Sequence, residues 1–365
     1  MINSQHLAVT NYLVGALFCL SLSLTAASAT ELPDPGQRVW SDRLEFVGVA
    51  VEEPGYHVWG SSAVIGLEGK THLFVSRWPI TAGFGAWLTD CEVARYIGDR
   101  PEGPFTFCEV VLKGSGRETW DRGSPHNPTV HKVGDQYVLL YIANQGGNKK
   151  QRVASQRIGM VVADRPEGPW KKVGADGLIL SIPEEPTVWS YGSTVGVNNP
   201  ALLLHPDGRF FLYYKAMKLG DVRRMGVAVA DNLEGPYVFH KDPLTSNRSE
   251  IEDGYAFVEN GTICLLTTNN HAGTGYLWTS EDGIHFDEPL VGFEKIEKYV
   301  SPDLLKDATT HRGKKFERPQ VLLQNGKPTH LYVASGVNLR GGRGTCSCVL
   351  RVHEGSSRSN VRSGE

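Results

Sequence analysis

Five short polar pairs carry the residues in this chain that could do chemistry: Gly60-Ser61, His126-Asn127, Asn198-Asn199, Glu252-Asp253 and Glu317-Arg318. Each stands just before an apolar run, and together they hold three carboxyls and a histidine. Two carboxyls suffice for general acid–base catalysis, one protonated for the leaving group and one ionised to activate water. Histidine titrates in the right range to take either part. Glu252, Asp253, Glu317 and His126 are the groups that could take those parts. Arg318 beside Glu317 would hold it ionised or tie it up in an ion pair.

Each pair opens the same grammar. An apolar strand follows, then a turn glycine (Gly69, Gly134, Gly208, Gly261 or Gly326), then a strand rich in aromatic and branched residues. This is a β-hairpin. The turn glycines recur at 65, 74, 53 and 65 residues. All-β repeats of that period imply radial repetition about an axis. A second repeat lies between the hairpins, as GDRPEGPF at 98–105, ADRPEGPW at 163–170 and ADNLEGPY at 230–237. It marks a turn from a third strand into a fourth. The reading is a five-bladed β-propeller of four-stranded antiparallel blades. The last blade lacks a fourth strand of its own, and Leu44–Val51 (LEFVGVAV) is predicted to close it. In a propeller the innermost strands line the axis, so the five polar pairs should converge in one funnel.

The SPHNPTVHKVGDQYVLLY stretch at 124–141 resembles the second-blade signature of glycoside hydrolase family 43 and its relatives. Asn199-Pro200 through Tyr214 resembles the third, and Glu252 through Leu266 the fourth. The resemblance implies hydrolysis of glycosidic bonds with inversion. It implies an aspartate base on blade one, an orienting aspartate on blade three and a glutamate acid on blade four. On that resemblance blade four keeps its acid as Glu252, or the adjacent Asp253, blade three offers Asn199, and blade one offers Gly60-Ser61 with no carboxylate, so the base would come from Glu317, which is preferred, Asp121 or His126. His126 joins Glu252 and Glu317 as a catalytic candidate, since related propellers use histidine in place of a carboxylate. The resemblance also leaves room for an axial Ca²⁺ or Na⁺ held through His271 or His126. No other cofactor is expected.

Ser61, Asn127, Asn199, Asp253, Arg318, Trp59, Tyr191 and His271 are the expected sugar-binding residues. Trp78, Trp87, Trp120 and Trp189 also fall near predicted loops, where rings suit sugar stacking or blade packing. Arg318, Lys215, Arg77 and His271 add positive charge that would suit an anionic sugar. Two long inserts, 146–157 and 299–315, are expected to wall off one end of the cleft.

The remaining readings concern address and class. Residues 1–29 read as a secretory signal, with an apolar core at 12–24 and Ala27-Ser28-Ala29 for cleavage. Residues 30–355 form the propeller and 356–365 a polar tail. A secreted or periplasmic monomer follows, with no membrane association after cleavage. The net charge of −3 and the lack of a basic stripe exclude a nucleic-acid partner. Cys91 and Cys108 flank the first Glu-Gly-Pro turn, a placement that leaves both a disulfide and free thiols open in an oxidising compartment. Cys346-Ser347-Cys348 lacks the spacing of a structural zinc site. The expected partner is a plant or algal polysaccharide, or oligosaccharides from one. A non-catalytic sugar-binding propeller and a polysaccharide lyase using His126 with a tyrosine are the competing readings.

Overall fold

The computed structural model describes residues 40–355. The expected signal segment and the polar tail lie outside them. Five antiparallel blades follow one another along the chain. Blade one is Tyr56–Ile65, Thr71–Pro79, Glu92–Gly98 and Thr106–Leu112. Blade two is Gly123–Val133, Gln136–Asn144 and Arg157–Ala163, with an outer edge in two pieces, Lys171–Lys172 and Leu178–Leu180. Blade three is Asn198–Leu204, Phe210–Ala216, Arg224–Ala230 and Val238–Phe239. Blade four is Ile251–Glu259, Thr262–Asn269, Thr274–Ser280 and Leu290–Phe293. Blade five is Phe316–Gln324, Lys327–Ser335 and Cys346–Val352, closed by Leu44–Val51.

The closure is as predicted. Leu44 pairs with Val352 and Val51 with Ser347. Arg43 then fastens this strand to blade four through Glu259, at 2.7 Å, and Trp40 Nε1 donates to the same carboxylate at 3.1 Å. The exposed edge of the ring is thereby removed.

Strand alternation explains why the ring holds. Successive side chains on a strand point to opposite faces. Along the second strand of blade three, Phe211 and Tyr213 enter the core shared with blade four. Leu212 and Tyr214 enter the core shared with blade two. Three further cores fill the remaining blade interfaces in the same way. Each Glu-Gly-Pro turn sets its glycine at φ near 87–88°, ahead of a cis Gly-Pro bond at Pro104, Pro169 and Pro236. No described helix is long and apolar enough to cross a membrane.

Between the two cysteine alternatives the structure has free thiols. Cys91 and Cys108 are both free. The register gives the reason: Cys108 sits at the irregularity opposite Arg95 and Tyr96. Cys91 lies four residues from Arg95, about 13 Å along an extended strand. A disulfide needs Cα atoms within about 7 Å.

Candidate active site

Every innermost strand carries a bulge at the same place, and the bulge builds the site. The register breaks between Trp59 and Ser61, His126 and Thr129, Asn198 and Ala201, Glu252 and Tyr255, and Glu317 and Gln320. At each break one residue takes left-handed backbone angles: Gly60 (φ 58°), Asn127 (52°), Asn199 (52°), Asp253 (63°) and Arg318 (52°). A bulge of this kind re-aims neighbouring side chains. Here it brings members of all five pairs to one cavity, while Asn198 turns aside to Gln156 and Val195.

The equivalence corrects blade one by a residue. Its pair is Trp59-Gly60, so Trp59 takes the position of His126, Asn198, Glu252 and Glu317. Ser61 is fully buried and its hydroxyl meets that of Ser347, away from the funnel.

The pairs converge on a cavity of about 110 Å³. Trp59, His126, Asn127, Asn199, Glu252, Asp253 and Glu317 all line it, with Lys215 beside them. Trp78, Phe84 and Trp87 form an aromatic wall, and Phe84 meets Trp59 edge-on at 5.3 Å. Connecting segments contribute as well: Gln156 from one insert and Arg312 from the other. Phe84, Gln156 and Arg312 escaped the sequence reading because they lie outside the hairpin repeat.

Other expected residues fall elsewhere. Tyr191 is 46% exposed and His271 is exposed, and neither lines the cavity. Trp120 packs against Tyr141 and Trp189 stacks on Tyr214 as blade core. Asp121 pairs with Lys172 in a separate depression, which removes it as a base for this cavity. Arg77 is held by Glu53 at 2.6 Å and Glu92 at 2.9 Å within blade one.

The carboxyls differ in their surroundings. Glu252 Oε2 receives Lys215 Nζ at 2.6 Å and Arg223 at 3.3 Å, and Asn270 Nδ2 donates to Oε1. Burial alone would raise its pKa, but these partners outweigh burial and hold it at about 2. Asp253 is 4% exposed. Its Oδ1 accepts from Asn199 Nδ2 and, at 3.4 Å, from Arg318. Burial, followed by the charge of Glu252, pushes it up to about 7. Burial also raises Glu317, opposed by its ion pair with Lys315. His126 offers Nδ1 to the Ser124 carbonyl at 2.8 Å, and burial lowers it to about 4, so the ring is neutral near pH 7.

Arg318 is fully buried. Its Nη2 donates to the carbonyls of Asn127 (2.6 Å) and Pro128 (3.1 Å) and to Thr129 Oγ1 (3.1 Å). It is therefore a fastening across the axis and not a surface for sugar. The same bonds bear on an axial metal. A guanidinium already takes the converging backbone oxygens, and His271 lies outside the cavity, whereas His126 gives only Nδ1–H to Ser124 and has no described partner at Nε2. No cluster of three or more His, Cys, Asp or Glu among the described residues could hold a metal ion. These residues do not fit an ion held through His271.

Known structures share the propeller fold. A family 117 glycoside hydrolase from the marine bacterium Zobellia galactanivorans superposes with a TM-score of 0.61 at 16% identity, over 84% of this chain and 89% of that one. A GH43_1 enzyme from Xanthomonas citri does so at 0.55 and 15%, over 84% and 91%. The fold is the propeller of the family 43 glycoside hydrolases. A GH43 β-xylosidase/α-arabinofuranosidase from a compost metagenome matches this family 43-like propeller at 0.55 and 16%, over 84% and 94%. At the sequence level, an extracellular endo-α-(1→5)-L-arabinanase of Thermotoga petrophila is 28% identical over 140 residues, 38% of this chain. The match spans 27% of that curated relative's length. No family model matches the chain. Within this fold, blade one of the present propeller places Trp59-Gly60 where the resemblance called for a carboxylate, and blade three places Asn199.

Proposed function

We propose that the protein is a glycoside hydrolase acting on a polysaccharide or its oligosaccharides. The observation that carries this reading is the unequal set of carboxyls in one aromatic-walled cavity. Carboxyls pushed apart in pKa are how a site keeps an acid and a base at the same pH. Asp253, rather than Glu252, is the proposed proton donor. Its Oδ1 is taken by Asn199 and Arg318, no described residue donates to Oδ2, and its proton is retained to about pH 7. Glu252 acts as a fixed anion, because Lys215 and Arg223 keep it charged, and its charge helps hold the proton on Asp253. Glu317, on the neighbouring blade and paired with Lys315, is the proposed base for water.

In the proposed reaction Asp253 gives its proton to the departing glycosidic oxygen as the C–O bond breaks. Glu317 takes a proton from the water that attacks the anomeric carbon. The configuration inverts, which requires about 6.5–9.5 Å between the two carboxyls. Trp59 and Trp87 supply ring faces and edges for the sugar, backed by buried Trp78. Neutral His126 serves as a hydrogen-bonding group and not as the donor. The protein is proposed to work as a secreted monomer, which N-terminal sequencing of exported protein and light scattering would check.

The test is incubation with a panel of polysaccharides. New reducing ends without an ultraviolet-absorbing double bond support hydrolysis, and anomer-resolved NMR reads inversion. Absorbing ends mean a lyase, although no tyrosine is among the described residues lining the cavity. A second reading, sugar binding without turnover, is favoured by Trp59-Gly60 on blade one. Binding with no new ends would establish it.

A further inference from the structure

The cations at the cavity are not equivalent. Lys215 and Arg223 are taken by Glu252, Lys315 by Glu317, and Arg318 by Asp253. The charges that sequence reasoning offered to an anionic sugar are thereby occupied, or, for His271, outside the cavity. Arg312 differs. It lines the cavity, is exposed to solvent, and forms no ion pair with any described carboxylate.

Its position is built. Thr309 and Thr310 pair with Asn338 and Val337, which ties the insert to blade five. The N–H groups of His311 and Arg312 both donate to the Gly336 carbonyl, at 2.8 and 2.9 Å. The guanidinium then lies 4.9 Å from the centre of the Phe84 ring. Stacking on an aromatic face orients an arginine while leaving its donor edge free. The cations deeper in the cavity are each engaged by a carboxyl. A negative group on the sugar therefore finds an unengaged guanidinium beside the Phe84 wall, at Arg312.

We propose that Arg312 is the specificity residue of this pocket, and that the sugar bound there carries an anionic substituent, a uronate carboxylate or a sulfate ester. Both present planar or forked oxygens that a guanidinium binds through paired hydrogen bonds. The inference rests on the glycosidase reading for its substrate, but its test stands apart from turnover.

Calorimetric titration of the full chain with glucuronate, glucose 6-sulfate and glucose reads the preference directly. The expected result is at least about tenfold tighter binding of one anionic sugar over glucose, in line with a charged hydrogen bond in a partly desolvated site. Arg312→Gln should collapse that ratio towards one, and Arg312→Lys should retain part of it. The two anionic sugars separate the carboxylate from the sulfate source. No preference for either over glucose, or a preference unchanged in Arg312→Gln, overturns the proposal. Anion preference without cleavage of any glycan would leave this inference standing and remove the hydrolase. Cleavage of neutral glycans with no anion preference would do the reverse.

Discussion

Gly60 gives Arg318 its path across the axis. A Cβ at Gly60 would overlap the Arg318 Cδ and lie 2.8 Å from Nε. Blade one thus contributes an absence of side chain, and blade five fills it with a cation that reaches blade two and holds Asp253. Gly60→Ala should destabilise the protein by about 2–4 kcal/mol, combining left-handed strain with overpacking. Denaturant unfolding measures this. A loss under about 1 kcal/mol would mean that Arg318 has another route.

Asp253→Asn should lower kcat by about 10²–10⁴-fold on substrates with poor leaving groups, the usual worth of a general acid. Activated aryl glycosides should suffer less, because they leave with little protonation. Binding should change little, since the amide keeps the shape. Near wild-type turnover would remove Asp253 as donor.

The pH profile follows from the same group. Its pKa is raised from 3.8 to about 7, so the donor form is full below pH 7 and is lost as pH rises through that value. kcat/KM should fall on the alkaline side with that midpoint, and its acid limb should lie above the ordinary glutamate value because burial raises Glu317. The stability linked to the Asp253 proton has the same sign. It is complete below pH 3.8 and disappears as pH passes about 7.

Glu252→Gln separates the two roles on blade four. It removes the charge that helps keep the proton on Asp253, so the alkaline limb should move to lower pH. The rate should fall less than in Asp253→Asn. The opposite ranking, with Glu252→Gln abolishing turnover, would return the donor role to Glu252.

Thiol titration checks the blade-one register. Of the five cysteines among the described residues, Cys108 is partly exposed and the other four are buried. Native protein should show Cys108 reacting first, and unfolding without reductant should release all five. A shortfall of two after unfolding would point to a bridge.

Much of this architecture was legible because propellers repeat. The hairpin turns at Gly69, Gly134, Gly208, Gly261 and Gly326 marked the blades, and LEFVGVAV was left over to close the ring. The converging pairs were legible too, since each precedes its strand. The slip at blade one arose because Ser61 is polar and Trp59 is not, whereas the bulge is defined by backbone angles at Gly60. The proposed donor was not legible. Glu252 and Asp253 are adjacent in sequence, and what separates them comes from Lys215, Arg223, Asn270, Asn199 and Arg318 on other segments. Arg312, Gln156 and Phe84 lie on connections with no periodicity to reveal them.

The strand Leu44–Val51 is made early and paired late, with Cys346–Val352 from the other end of the propeller. Blade five supplies Glu317 and Arg318, so the proposed acid and base share a pocket only after the ring has shut. A chain that stops before residue 346 has Glu317 and Arg318 but lacks the strand that Leu44–Val51 pairs with. On the proposed reading, turnover is thus a report on ring closure, set by the last strand to leave the ribosome.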